Sequence, residues 1–143
     1  MSRHVVDANV VAKWFVPERL SEEAVHLLDG DRELASPDLL WPEVGNVFWK
    51  KSRKGEISAR EATRIVGALD SLPLVVFPAR LVLEGALDIA LRTGRSVYDG
   101  VYLALAVALE CRLATADERL VNALAGGPLA RHVVWIGAPG WLD

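Results

Sequence analysis

Apolar residues along this chain fall into short continuous runs separated by longer stripes at helical spacing, and that alternation predicts its elements. Val5-Val6 reads as a short buried strand, followed by a helix from Asn9 to Phe15 that Pro17 ends. Ser21 before Glu22, Glu23, Ala24 and Val25 marks a helix start with an N-cap and early acids, and this helix runs to about Gly30. Glu33-Leu34-Ala35 is a very short extended segment, stopped by Ser36-Pro37. Asp38 is positioned to cap a helix through about Lys50, with Pro42 tolerated near the first turn. Ser58 caps a helix in which Ala62, Ile65, Val66 and Leu69 recur at helical spacing. Leu74-Val75-Val76-Phe77 is the clearest strand, bracketed by Pro73 and Pro78. Val82, Leu83, Ala86, Leu87, Ala90 and Leu91 trace another helix stripe, ended by Gly94. Asp99 to Glu110 is apolar nearly all round, which predicts a central, buried helix. Arg112 to Thr115 is a strand, Glu118 to Ala125 a helix, and His132 to Ile136 a last strand.

Strands alternating with helices predict an α/β layer fold with a mainly parallel sheet, in which ligands bind at the carboxyl ends of the strands. With 143 residues and no repeat, linker or low-complexity tract, residues 1–143 are expected to form a single domain with a sizeable core. Hydrophobic content of 52% against 24% charged excludes a disordered chain. A net charge of −3 excludes attachment to nucleic acid by bulk charge, while leaving room for a local basic patch. Cys111 is the single cysteine, so neither an intramolecular disulfide nor a thiolate zinc cluster can form, and a reducing cytoplasm is the expected compartment. No signal-peptide apolar region precedes the first strand, and the longest apolar run, Val101 to Leu109, is too short to span a bilayer.

Four acidic residues stand out against this pattern. Asp7 ends the run Val5-Val6, Glu43 interrupts Leu40-Trp41-Pro42-Glu43-Val44, Asp99 opens the long apolar stretch, and Asp117 follows Leu113-Ala114-Thr115-Ala116. Charge beside so much apolar surface is unfavourable unless neutralised. No Lys or Arg adjoins Asp7, and only Arg95 closely precedes Asp99. Plainer roles exist: Asp7, Asp99 and Asp117 can each cap the helix that follows, and for Asp7 and Asp117 the cap and ligand roles weigh equally. Glu43 shares a helix face with Leu40 and Val47, which does not suit a fully solvated position. A shared divalent ion accounts for all four together, because Mg²⁺ and Mn²⁺ take oxygen ligands and activate water against a phosphodiester. The chain is therefore a candidate metal-dependent hydrolase.

The segments Val5-Val6-Asp7-Ala8-Asn9, Pro42-Glu43-Val44-Gly45-Asn46-Val47, Tyr98-Asp99-Gly100-Val101-Tyr102-Leu103-Ala104-Leu105-Ala106 and Leu113-Ala114-Thr115-Ala116-Asp117-Glu118-Arg119-Leu120 resemble a PIN domain. More narrowly, they resemble the VapC-type toxins of type II toxin–antitoxin pairs, and the match spans nearly the whole chain in order. The resemblance implies a three-layer α/β/α PIN-like fold with a mainly parallel central sheet. It implies a Mg²⁺-dependent (or Mn²⁺-dependent) cytoplasmic endoribonuclease toxin, a homodimer that acts on RNA and is inhibited by a cognate antitoxin. It further implies that Asp7, Glu43, Asp99 and Asp117 are the catalytic, metal-binding acids, with Asp7 and Asp99 foremost as Mg²⁺ ligands. Asn9 and Thr115 match positions of small polar groups that orient ligands or water, beside plainer roles as helix support and strand residue. Some relatives carry a further acid two residues after the last motif aspartate; Arg119 stands there in this chain, which speaks against a fully occupied second metal site.

Lys50, Lys51, Arg53 and Lys54 form the dense basic cluster, suited either to a helix C-terminus or to a phosphate-backbone contact that Arg92 and Arg95 would extend. Trp14, Phe15, Trp41 and Trp49 crowd the first third of the chain, and core packing is the default for most. Trp49 shares a helix side with Asn46 and Arg53, so exposure is expected there, and the resemblance to VapC-type toxins implies an antitoxin that would cover Trp14 or Trp49. His4, His26 and His132 have no partner at ligand spacing. Two other functions compete. An aspartate-nucleophile phosphatase also ends its first strand in Asp, but that chemistry wants a second Asp where this chain has Asn9. A catalytically silent RNA- or protein-binding module would keep the scaffold, with its acids serving only as caps.

Overall fold

Five strands, β1 (Arg3–Val6), β2 (Glu33–Pro37), β3 (Leu74–Phe77), β4 (Arg112–Thr115) and β5 (Val133–Trp135), form one sheet in the order β3-β2-β1-β4-β5. The computed structural model of the chain describes residues 2–142. Every strand pairing is parallel, as the alternation of strands and helices predicts. The short segment at Glu33 is a full interior strand that continues through Ser36 and Pro37. The residue before a proline favours extended backbone, and the Ser36 hydroxyl donates to the Val6 carbonyl at 2.6 Å, tying β2 to β1. The chain order reverses beside β1, so a crevice opens at the carboxyl ends of β1 and β4.

Side chains alternate across the sheet and fill two cores. Val6, Leu34 and Ala114 pack under α1 (Ala8–Lys13), α2 (Ser21–His26), α3 (Leu40–Arg53) and α4 (Ala59–Gly67), through residues such as Val10, Ala24, Phe48 and Ile65. Val5, Ala35 and Leu113 pack under α5 (Leu83–Thr93), α6 (Val97–Ala108) and α7 (Glu118–Leu124), through Ile89, Leu103 and Leu120. The result is the expected three-layer α/β/α arrangement. Helix α6 is buried from Gly100 to Ala106 and presses on α5: a Cβ at Gly100 would stand 2.4 Å from the Ala86 carbonyl oxygen. Among the described residues, no helix is long and apolar enough to cross a membrane.

Two expected caps are placed differently. Ser21 is the first residue of α2; its N-cap is Leu20, held at a left-handed φ of 69°. The Ser21 hydroxyl instead accepts from the Glu18 N–H at 2.9 Å and donates to the Val16 carbonyl at 3.2 Å, bracing the loop around Pro17. That helix also ends at His26 rather than near Gly30. Asp38 precedes the N-cap residue Leu39, and its Oδ1 accepts from the Ala79 N–H at 2.9 Å, so it pins a distant turn instead of starting α3. Short polar side chains have several backbone partners within reach, and tertiary proximity selects among them.

Candidate active site

Asp7 follows β1 directly and caps α1, its Oδ1 accepting from the Val10 N–H at 3.0 Å. Asp117 follows β4 and caps α7, its Oδ1 accepting from Arg119 and Leu120 at 3.0 and 3.3 Å. Both plain roles are therefore real, and each occupies one carboxylate oxygen only. The Oδ2 of Asp7 accepts the Thr115 hydroxyl at 2.7 Å, and that hydroxyl oxygen accepts from the Asp117 N–H at 3.1 Å. Sheet register explains the meeting: Val6 pairs with Ala114, so Asp7 and Thr115 come next on their strands. Asp99 does not cap its helix. Ser96 does, accepting the Asp99 N–H at 3.1 Å, so the Asp99 carboxylate in the first turn is not spent on capping. Glu43 sits in the first turn of α3, where its Oε1 accepts the Tyr102 hydroxyl at 2.6 Å.

All four acids line one cleft of about 750 Å³ at the carboxyl ends of the strands. Burial raises the Asp7 carboxyl to about 6; the hydrogen bonds from Thr115 and Val10 oppose the rise, and the charges of Glu43 and Asp99 add to it. Burial also raises Glu43, against the Tyr102 hydrogen bond and with the Asp99 charge adding. Burial first, then the Glu43 carboxylate, push the Tyr102 phenol well above its ordinary range, so it remains a donor. Mutual repulsion is thus built into the cleft, and a cation would relieve it.

The donor set is all oxygen, which suits a hard divalent ion in chemistry. In geometry, among the described residues, no three such side chains are gathered closely enough to hold one ion as they lie. Asp99 and Asp117 instead meet Arg95, at 3.3 and 3.5 Å. The sequence pattern offers Arg92 and Arg95 as an extension of a phosphate contact, one of two roles open to the basic cluster. Arg92 pairs with Asp88 on the exposed face of α5 at 3.0 Å, and Arg95 turns toward the acids. Lys50, Lys51 and Lys54, from the end of α3, line the same cleft as the acids. Arg53 leaves it and stacks 4.9 Å over the ring of Trp49, which is exposed as expected. Trp14 is partly buried against the core, its Nε1 donating to the Ala24 carbonyl at 2.7 Å. Asn9 also lines the cleft.

Sequence reasoning missed Tyr102 and the bridging role of Arg95. Tyr102 had a signal: it lies three residues after Asp99, on the same face of α6. Arg95 had half a signal, since only its separation from Asp99 was visible along the chain.

Residues 4–125 match the family described as PIN domain. Ribonuclease VapC3 of Pyrobaculum aerophilum is 37% identical over 120 residues, covering 82% of this chain and 92% of that protein. The fold is shared with VapC20 of Mycobacterium tuberculosis, a sarcin-ricin loop cleaving toxin, at a TM-score of 0.65 and 15% identity over 91% of this chain and 99% of that one. It is shared also with a toxin–antitoxin complex from Klebsiella pneumoniae, at a TM-score of 0.60 and 18% identity over 92% and 95% of the two chains.

Proposed function

The chain belongs to the PIN-domain family, among the VapC ribonucleases, and on that premise we propose that it is a Mg²⁺-dependent endoribonuclease toxin restrained by a cognate antitoxin. The observation that carries this reading is the meeting of Asp7, Glu43, Asp99 and Asp117 in one cleft, on residues brought from four separate parts of the chain.

Asp7 and Asp99, supported by Glu43 and Asp117, would hold the ion, Mg²⁺ or Mn²⁺. When bound, such an ion lowers the pKa of water and offsets the charge that builds on a phosphodiester under attack. The chain's own groups prepare the rest. Thr115 and the Val10 N–H fix Asp7 from two sides, and the Tyr102 hydroxyl holds Glu43 by Oε1 alone. Lys50 and Lys54 offset the repulsion between these acids and an RNA backbone, while Lys51 is paired with Glu18 at 2.5 Å. Contacts of that kind position a strand without choosing its sequence.

The antitoxin would sit over Trp49, beside the groove between α3 and α4 that Phe48 and Val66 line. Leu83, Leu87 and Leu91 form an exposed stripe along α5, which suits a homodimer contact. The free Cys111 suits a reducing cytoplasm.

Purified protein should cut RNA with Mg²⁺ or Mn²⁺ and stop when the ion is chelated. Asp99→Ala should lose cleavage while keeping its circular dichroism spectrum. Metal-dependent cleavage retained by Asp99→Ala would sink the assignment.

A further inference from the structure

Among the described residues, the side chains of Asp7 and Glu43 meet neutral donors, namely Val10, Thr115 and Tyr102. Asp99 and Asp117 share a cation of the chain's own. The Arg95 Nε lies 3.3 Å from Asp99 Oδ2, and its Nη2 lies 3.5 Å from Asp117 Oδ2. One guanidinium thus spans two acids that come from different elements, α6 and the cap of α7. The residue is held for that purpose at its backbone. Gly94 ends α5 at a left-handed φ of 76°, the Arg95 N–H donates to the Thr93 hydroxyl at 3.2 Å, and that hydroxyl donates to the Ile89 carbonyl at 2.7 Å. Only then does the chain enter α6 with Asp99 one turn ahead. Arg95 itself is half-buried, so its charge is screened less than that of a surface arginine.

On the footing that the cleft takes a divalent ion, we propose that Arg95 is an internal counter-ion that competes with this ion for Asp99 and Asp117. A divalent cation and a guanidinium want the same carboxylate oxygens. Asp99 and Asp117 are the two acids held by Arg95, and no three acids of the cleft gather on one point while it holds them. An ion taken by Asp99 Oδ2 or Asp117 Oδ2 displaces Arg95 from that oxygen, and the strength of each pair lost is subtracted from the metal affinity. Arg95 keeps the acids neutralised when free metal is scarce and sets the concentration at which the nuclease becomes loaded. It is a positioning residue, acting on the ion through Asp99 and Asp117.

The test is isothermal titration with Mn²⁺ of the wild-type protein, Arg95→Gln and Arg95→Lys, with RNA absent. Half-exposed ion pairs are of modest strength, so Arg95→Gln should bind Mn²⁺ roughly three- to tenfold more tightly than wild type. Arg95→Lys keeps the charge but loses the two-pronged fork, and should fall between them. In thermal melts, Arg95→Gln should start lower without metal and gain more from Mn²⁺ than wild type gains. A merely structural arginine predicts the reverse, because loosened acids would bind the ion less well. Equal or weaker Mn²⁺ affinity in Arg95→Gln overturns the proposal, and if that variant does not fold, the same outcome in Arg95→Lys does so. Absence of any Mn²⁺ site in the wild-type protein would instead overturn the metal-dependent function from which the proposal starts.

Discussion

His4 lies on the central strand β1 and Asp7 just past its end, and burial presses both toward their neutral forms with opposite outcomes. At the amino end, burial, helped by the charges of Arg112 and Arg32, lowers His4 to about 4, so at neutral pH it carries no charge. It packs edge-on against Trp141, with centroids 5.4 Å apart. The surrounding cleft of about 560 Å³ mixes signs, and Arg3 there pairs with Glu33 at 2.7 Å. At the carboxyl end, Asp7 is raised only to about 6, so at neutral pH it remains mostly ionised, beside Glu43 and Asp99. A fold disposes of an unwanted buried charge by neutralising it, as with His4. Where acids are gathered instead, as Asp7, Glu43 and Asp99 are, the cleft is a candidate site for a cation from outside the chain.

The sharpest way to break this contrast is to remove each group in turn. Asp7→Asn should lower RNA cleavage by more than about a hundredfold, since losing a mere supporting partner of a metal ligand already costs ten- to a hundredfold. His4→Leu should cleave at the wild-type rate in the same gel assay. Comparable losses in both would abolish the distinction between the two ends.

Stability against pH sharpens it next. The unfolded chain protonates His4 near 6.5 and the folded chain near 4, so its contribution is present above pH 6.5 and is lost as pH falls toward 4. The loss is at most about 3 kcal/mol. Asp7 has the opposite sign. Its folded carboxyl protonates near 6 and its unfolded one near 3.8, so its contribution is present at low pH and lost as pH rises through 6. Metal-free Asp7→Asn should therefore gain on the order of 2 kcal/mol at pH 7 and nothing at pH 4, by urea denaturation. His4→Leu should flatten the acid side of the wild-type profile instead.

The smallest effect concerns Tyr102, whose hydroxyl holds Glu43 at 2.6 Å. Tyr102→Phe keeps the packing and loses that donor, and should weaken Mn²⁺ binding roughly tenfold in a titration. Unchanged affinity would remove Tyr102 from the site's support.

Much of this was legible along the chain because helices and strands announce themselves by period. The run Leu74 to Phe77 matches β3 residue for residue, the stripe from Val82 to Leu91 lies on α5, and α6 starts and ends two residues before the expected Asp99 and Glu110. The β2 strand has five residues against four in β3, but Ser36-Pro37 reads as a stop and hides its last two. Ser21 and Asp38 are residue types that suit a cap, and sequence alone offers each no other partner. The partner that Asp38 actually chose, Ala79, lies 41 residues further on, beyond the reach of any local signal.

The sequence by itself determined the α/β class, the order of elements and the four acids, since each rests on local periodicity or on residue type in an apolar setting. Only the tertiary structure decided which side chains hold those acids. Thr115 and Asp7 are 108 residues apart, Tyr102 and Glu43 are 59, and Arg95 and Asp117 are 22. Such pairs leave no periodic trace, because sheet register and the close approach of α6 at Gly100 bring them together only when the whole chain has folded.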